Sequence, residues 1–169
     1  ENAKRDFGVM EVSSHALAQG RVAGLHFAAA CFTNLTEDHL DFHGTMQAYF
    51  EAKEKLFGMT DCAVINIDDP WGNKLRIADG TELITYGIDN ELADISARNV
   101  EFFADGVGFT FCAEGKKIHV KVPTPGRFSA YNALSAAGCA LAVGVAPEAI
   151  AEALNRQLKQ CLPHPEDIN

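Results

Sequence analysis

Short runs rich in apolar residues, separated by longer segments, constrain the fold of this chain more than any other feature of its sequence. These runs cover residues 7–12, 28–35, 63–67 and 83–86. A strand that is apolar on both faces must be covered on both faces, and helices supply that cover in parallel sheets. The pattern therefore predicts an α/β fold with a mostly parallel sheet flanked by helices.

The pattern changes between residues 95 and 122, where three short runs are joined by tight-turn sequences. Ala104-Asp105-Gly106 and Glu114-Gly115-Lys116 are typical hairpin connections. They predict a small antiparallel meander. An alanine-rich stretch from Tyr131 to Val143 then predicts a buried helix, and a last helix is predicted from Pro147 to about Lys159.

Composition narrows the partners that such a domain can have. The chain has 169 residues, with 14 Lys and Arg against 23 Asp and Glu, and a formal net charge of −9. We therefore expect no nucleic-acid partner. No apolar run approaches the roughly 18 residues of a membrane span, so no membrane partner is expected either. Five widely spaced cysteines do not suggest a disulfide framework, and we expect a cytoplasmic location.

Two polar clusters follow predicted strands at their carboxyl ends, where parallel sheets bind ligands. The first is Glu11-Val12-Ser13-Ser14-His15, and the second runs from Thr33 to His43. Each cluster also has a purely structural interpretation. The serines could cap a helix, and the acidic residues 37–38 could begin one.

Lys53 is the most informative single residue. It falls on the apolar face of the helix predicted between His43 and Gly58, seven residues after Met46 and four after Tyr49. A lysine there either extends its ammonium to solvent or has a reactive amine tuned by burial. A neutral amine can combine with carbon dioxide to form a carbamate, whose oxygens suit magnesium.

Several stretches of the chain together resemble one family. They are residues 10–17, 19–22, 32–44, 49–53 and 125–134. In this order they resemble the central domain of the Mur ligases, and most of all the type that makes the UDP-N-acetylmuramoyl tripeptide. The resemblance extends from about Phe7 to Leu158, and it implies the P-loop-NTPase-like fold of that domain. Residues 1–160 are then a partial central domain, truncated at both ends, and residues 161–169 are a tail of unknown role.

The resemblance implies a fragment of an ATP-dependent amide-bond-forming ligase of peptidoglycan precursor synthesis. Such a ligase adds an amino acid, diaminopimelate or lysine, to UDP-N-acetylmuramoyl-L-alanyl-D-glutamate through an acyl phosphate. ATP and Mg²⁺ are the cofactors implied. The catalytic residues and metal ligands implied are Glu11, His39 and Lys53, the lysine in N6-carboxylated form. The substrate-binding residues implied are Ser13, Gln19 and Arg21, and the nucleotide-binding residues are Asn34 and Asn132.

Departures from the family pattern limit what this chain is expected to do. The family's P-loop, Gly-x-x-Gly-Lys-Thr, holds phosphates on backbone amides and a lysine. The only Gly-Lys pair here is Gly115-Lys116, in a predicted turn, and Ser129 stands where the family usually has Asn. The P-loop strand and helix are therefore expected to be missing. We predict that the isolated chain is inactive and that an exposed sheet edge favours a homodimer.

Two other functions fit parts of the sequence. A metal-dependent hydrolase could use His39, Asp41 and His43 if this segment were extended, because alternate residues of a strand share a face. A non-catalytic domain that retains substrate contacts is the second alternative.

Overall fold

A computed structural model describes residues 7–160, with side chains to residue 156. The strands are β1 (Phe27–Phe32), β2 (Thr60–Asn66), β3 (Glu82–Gly87), β4 (Ile95–Phe103), β5 (Gly106–Ala113) and β6 (Lys116–Val122). The α-helices are α1 (Ser14–Ala18), α2 (Leu40–His43), α3 (Met46–Glu54), α4 (Arg127–Ala142) and α5 (Pro147–Gln160). Two single 3₁₀ turns, Lys55–Gly58 and Gly72–Lys74, complete the described elements. The predicted tail, residues 161–169, lies outside the described residues.

The six strands form one sheet in chain order, from β1 to β6. Strands β1 to β4 are parallel to their neighbours, and β5 and β6 continue the sheet in antiparallel fashion. The mostly parallel sheet and the meander between residues 95 and 122 are thus confirmed. Parallel pairing makes the carboxyl ends of β1, β2 and β3 meet at one edge of the sheet.

The core lies on both faces of the sheet, and the alternation of β2 shows how. Val64 packs in a cluster with Tyr86, Phe109 and Leu134, on the face that α4 and α5 cover. Ile65 packs with residues of α3 on the other face. Successive strand residues point to opposite faces, so an uninterrupted apolar run is what a strand covered on both sides requires.

Helix α4 crosses the first three strands at very close range. It begins at Arg127, four residues before the predicted start, and its Gly138 sits over Val64. A Cβ on Gly138 would lie 2.4 Å from the Val64 Cγ1 atom. A helix can approach the sheet this closely because glycine has no side chain, so Gly138 sets the depth at which α4 packs.

The strand predicted at residues 7–12 is absent from the structure. No described strand pairs with this segment, and its apolar side chains are exposed, with Val9 at 99%. A strand of this composition needs both a neighbouring strand and cover on its faces, and the described residues provide neither. Strand β1 consequently lies at an edge of the described sheet. The homodimer through such an edge stays a prediction.

None of the helices between residues 7 and 160 is long and apolar enough to span a bilayer.

We expect Gly138→Ala to destabilise the fold by about 1–3 kcal/mol, because the new methyl group overpacks the contact with β2. The better helix propensity of alanine offsets at most about 1 kcal/mol of that cost. Urea unfolding of the purified chain measures the change.

Val64→Ala supplies the control, since it removes the side chain that the new methyl group would meet. In the Val64→Ala background, Gly138→Ala should cost little or be stabilising. An equal cost in both backgrounds would show that Gly138 does not set the packing depth.

Candidate active site

A cavity of about 320 Å³ opens at the carboxyl ends of β1, β2 and β3. The strand ends and the loops after them form most of its wall, and the first turns of α4 form the rest. Its lining comprises Thr33, Asn34, Thr36, Asn66, Asp68, Asp69, Pro70, Tyr86, Phe128, Tyr131 and Asn132. The two predicted nucleotide-binding residues, Asn34 and Asn132, are therefore brought to one cavity from positions almost a hundred residues apart.

Side-chain hydrogen bonds fix the strand ends that form this cavity. The Asn66 side-chain amide donates to the carbonyl of Thr33 at 2.8 Å, and its oxygen accepts the Asp68 N–H at 3.0 Å. The Tyr86 hydroxyl donates to the carbonyl of Phe32 at 3.2 Å. Burial raises the pKa of Tyr86, so the phenol remains a neutral donor at physiological pH. These bonds satisfy carbonyl groups where β1 leaves the sheet.

Asp69 also lines the cavity, and its carboxylate helps to fix the loops around it. Its carboxylate accepts the backbone N–H of Leu35 at 3.2 Å and that of Trp71 at 2.8 Å. It thereby joins the loop after β1 to the loop after β2. Its negative charge also acts on Lys53.

A second group of side chains lies beside α3 and consists of three histidines around one tyrosine. The ring centroid of His39 is 5.9 Å from that of Tyr49, and His43 stacks on the same ring at 5.0 Å. His15 lies 4.9 Å from His39. We call His15, His39, His43 and Tyr49 the histidine cluster. It brings together residues that follow two different predicted strands.

His39 adopts an unusual backbone conformation for its residue type. Its φ of 54° places it in the left-handed region at the start of α2, and its N–H donates to the Asp38 carboxylate at 2.8 Å. Non-glycine residues seldom occupy this region. The conformation directs the chain into the short α2 turn and sets His39 against the rings of His15 and Tyr49.

His43 links this cluster to α1. Its Nε2 atom is 2.9 Å from the hydroxyl of Ser14, which is a buried polar residue with 3% exposure. Burial lowers the pKa of His43, and the neighbouring His15 and His39 lower it further, against an opposing effect of Asp41. His43 is therefore held as a neutral partner for Ser14.

The predicted substrate-binding residues lie on one segment that begins at α1. Ser13 caps this helix by accepting the N–H of Ala16 at 3.2 Å, as the structural interpretation of the serines expects. Gln19 and Arg21 are exposed in the turn that follows. All three residues are exposed on this one segment. Their contacts with a substrate stay a prediction.

Lys53 is half-buried on α3, and its Nζ atom is 5.4 Å from the centroid of the Tyr49 ring. Burial lowers the pKa of Lys53, while the charges of Glu11 and Asp69 partly oppose this shift. The lysine is thus not simply extended into solvent. The Tyr49 ring lies near both Lys53 and His39, and the charge of Glu11 acts on Lys53. A joint catalytic role of Glu11, His39 and Lys53 stays a prediction.

The hydrolase alternative is not favoured by the structure. Residues 40–43 form a helical turn, so His39, Asp41 and His43 do not share a face as they would in an extended strand. Asp41 is exposed, whereas the two histidines contact Tyr49. Within residues 7–156, no three His, Cys, Asp or Glu side chains are grouped so that they could hold a metal ion.

Sequence reasoning missed several residues of the cavity, among them Asp68 and Tyr131. Asp68 directly follows the strand predicted at residues 63–67, and this position at a carboxyl end was the available signal. Tyr131 could be placed on a buried helix, but nothing local indicated that its hydroxyl would meet Asp68.

The fold and the strand-end cavity define an α/β domain with a cavity at the carboxyl edge of its parallel strands. A family model described as the Mur ligase middle domain matches residues 1–140. The chain belongs to the Mur ligase family and corresponds to its middle domain, which confirms the predicted resemblance.

Two curated relatives show how much of a ligase this chain represents. It is 42% identical over 153 residues to UDP-N-acetylmuramoyl-L-alanyl-D-glutamate--2,6-diaminopimelate ligase 1 of Clostridium acetobutylicum, covering 90% of this chain and 32% of the relative. It is 47% identical over 152 residues to the corresponding ligase of Gloeobacter violaceus, covering 88% of this chain and 31% of the relative. The chain spans about a third of the length of these relatives.

Solved structures agree with this assignment. A structure of UDP-N-acetylmuramoyl-L-alanyl-D-glutamate--2,6-diaminopimelate ligase aligns with a TM-score of 0.79 at 30% identity, covering 86% of this chain and 31% of that chain. A pseudomurein peptide ligase type C from Methanothermus fervidus aligns with a TM-score of 0.69 at 21% identity, covering 85% of this chain and 36% of that chain. The second likeness shows the shared fold alone.

We expect the free energy of unfolding of the wild-type chain to rise with pH below the ordinary lysine pKa of about 10.4, because Lys53 loses its proton earlier in the folded state. In that interval the unfolded chain binds more protons than the folded one, so stability increases with pH. Lys53→Met should lack this rise. Urea unfolding at a series of alkaline pH values measures it.

Lys55→Met is the matched control, because Lys55 is exposed and adjacent. It should keep the pH dependence of the wild type. Identical pH profiles for the two variants would contradict the conclusion that burial depresses the pKa of Lys53.

Proposed function

We propose that these residues are the middle domain of an ATP-dependent ligase of peptidoglycan precursor synthesis, acting on UDP-N-acetylmuramoyl-L-alanyl-D-glutamate. The observation that carries the proposal is Lys53, half-buried with a depressed pKa, between the charge of Glu11 and a ring shared with His39. The names of the two curated relatives support 2,6-diaminopimelate over lysine as the amino acid added.

The chemistry proposed for Lys53 follows from its depressed pKa. A larger fraction of its amine is neutral at a given pH than in an exposed lysine, and only the neutral form has the lone pair that attacks carbon dioxide. A nitrogen–carbon bond forms as one carbon–oxygen π bond of carbon dioxide breaks and its electron pair moves to oxygen. The nitrogen of this adduct then loses one proton to solvent. The product is a carbamate, which changes the side chain from a cation to an anion with two oxygens.

This change is what makes the residues fit magnesium. The described His, Cys, Asp and Glu side chains do not form a three-ligand site by themselves. A carbamate on Lys53 would supply the missing ligand, in addition to Glu11 and His39. Its oxygens are hard donors, which Mg²⁺ favours. When bound, the ion would offset the repulsion between a substrate carboxylate and the ATP phosphates.

The remaining predicted residues are assigned to the UDP-muramoyl substrate and to the nucleotide. Arg21 carries a planar fork of donors suited to an anionic group, and Ser13 and Gln19 lie on the same exposed segment, where the UDP-muramoyl substrate would bind. The amides of Asn34 and Asn132 line the cavity, where they would donate to and accept from a nucleotide base.

These two sites would serve one sequence of steps. The substrate carboxylate attacks the γ-phosphorus of ATP and displaces ADP, which gives an acyl phosphate. The incoming amine then attacks the acyl carbon, phosphate leaves, and the nitrogen loses a proton to solvent. The protein's part is to hold the two anionic substrates in line and to exclude water. We place this reaction in the cytoplasm, and we propose a homodimer through the outer edge of β1.

The complete reading frame around these residues should encode an ATP-dependent ligase that joins 2,6-diaminopimelate to UDP-N-acetylmuramoyl-L-alanyl-D-glutamate. Lys53→Arg keeps the charge but cannot form the carbamate, and it should lower kcat at least about 100-fold, as loss of a metal ligand does. Phosphate release coupled to formation of the tripeptide product measures activity. Lys55→Arg should remain active.

The isolated 169-residue chain should show no ligation in the same assay. Substrate binding without turnover by the protein of the complete reading frame would instead support a non-catalytic substrate-binding domain. Ligation by the isolated chain alone would contradict our prediction that the chain is inactive.

Carbamate formation can be observed without turnover. Incubation of the purified protein with ¹³C-bicarbonate should add one carbamate carbon resonance, strengthened by Mg²⁺. The resonance should be absent from Lys53→Arg and retained in Lys55→Arg. Its persistence in Lys53→Arg would assign the carbamate to another amine.

A further inference from the structure

The Asp68 carboxylate accepts four hydrogen bonds from other parts of the chain. Its Oδ2 atom accepts the backbone N–H of Asp89 at 2.9 Å, the N–H of Ile88 at 2.5 Å and the hydroxyl of Tyr131 at 2.9 Å. Its Oδ1 atom accepts the N–H of Asn90 at 2.9 Å. One carboxylate thus joins the end of β2, the loop after β3 and the start of α4.

The neighbouring backbone is built around this carboxylate. A Cβ on Gly87 would lie 2.8 Å from Oδ1 of Asp68, so the last residue of β3 must be glycine for the carboxylate to reach the three N–H groups. Burial alone would raise the pKa of Asp68, but the N–H donors and the Tyr131 hydroxyl lower it overall. Asp68 is therefore ionised at neutral pH and satisfied by dipoles rather than by a cation.

A second interaction joins the loop after β3 to the start of α4. Arg127, the first residue of α4, forms an ion pair with Asp89, and its guanidinium carbon lies 5.8 Å from the centroid of the Tyr131 ring. The residue at the N-terminal cap of this helix is Gly126, which has no side chain to accept a hydrogen bond from the first turn. The first two turns of α4 are thus held over the cavity by tertiary contacts to Asp68 and Asp89.

These turns carry the residues that face the cavity. Phe128, Tyr131 and Asn132 line it, and Phe128 is 61% exposed at its edge. Asn132 follows Tyr131 directly, so a shift of the helix backbone at Tyr131 also moves the amide that would meet a base.

We propose that Asp68 is a positioning residue for adenine-nucleotide binding, which acts by fixing Tyr131 and the loop at residues 88–90 and thereby the orientation of Asn132. This rests on the proposed function of the cavity as the nucleotide site. We assign Asp68 no part in the reaction steps themselves, because its carboxylate already accepts four hydrogen bonds from the protein.

The test uses the protein of the complete reading frame and measures Kd for ADP by calorimetry and KM for ATP by the ligation assay. Tyr131→Phe removes one hydrogen bond to Asp68 and should weaken ADP binding about fivefold. Asp68→Asn keeps the shape but places an amide donor near backbone N–H groups, and it should weaken ADP binding about 30-fold. KM for ATP should rise in parallel, while kcat and KM for the amino acid change little.

Asp94→Asn controls for general destabilisation of the loop between β3 and β4. The Asp94 carboxylate also accepts a backbone N–H, that of Thr85 at 2.8 Å, but Asp94 does not line the cavity. Its variant should lower the thermal midpoint without changing the Kd for ADP. Asp68→Glu, with a carboxylate at a longer reach, should recover part of the affinity lost in Asp68→Asn.

The outcomes separate the two proposals. A wild-type protein that binds no adenine nucleotide overturns the proposed function. A wild-type protein that binds ADP, with Asp68→Asn and Tyr131→Phe variants of equal affinity, overturns the positioning role alone. A fall in kcat and in affinity for all substrates together would show that Asp68 is only structural.

Discussion

The close approach of α4 to the parallel strands is the contact on which the rest of the structure depends. Gly138 allows the helix to rest against Val64 of β2, and this contact fixes the height of the helix above the sheet. Helix α4 has 16 residues, and contacts to Asp68 and Asp89 hold its first turns once this contact has set its height. The start of α4, with Tyr131 and Asn132, is therefore delivered to the carboxyl ends of β1 and β2.

Elements whose signal is local were predictable from the sequence. Strands β2 and β3 and the three strands of the meander follow from apolar runs bounded by turn residues, and all five are present. The placement of Lys53 on the apolar face of α3 also follows from periodicity alone, because residues three and four positions apart lie on the same face of a helix. The resemblance then supplied what periodicity cannot, namely the order of chemical motifs.

Features that depend on distant parts of the chain were not predictable in the same way. Residues 7–12 have the composition of a buried strand, but composition states only that cover is needed and not which segment provides it. The left-handed conformation of His39 arises where the chain turns sharply between β1 and α2. The contact of Asp68 with Tyr131 spans 63 residues, and Asp68-Asp69-Pro70 alone is typical of an ordinary turn.

Asp68 and Asp69 show how adjacent acids are given different tasks by their partners. Asp68 accepts four hydrogen bonds, whereas Asp69 accepts only two backbone N–H groups. The charge of Asp69, like that of Glu11, also acts on Lys53. While Lys53 is an ammonium, both acids attract it. Under the proposed function, conversion of Lys53 to a carbamate would reverse the sign of these interactions, and three anions would then repel one another. A divalent cation would offset that repulsion, so carbamate and Mg²⁺ should each stabilise the other.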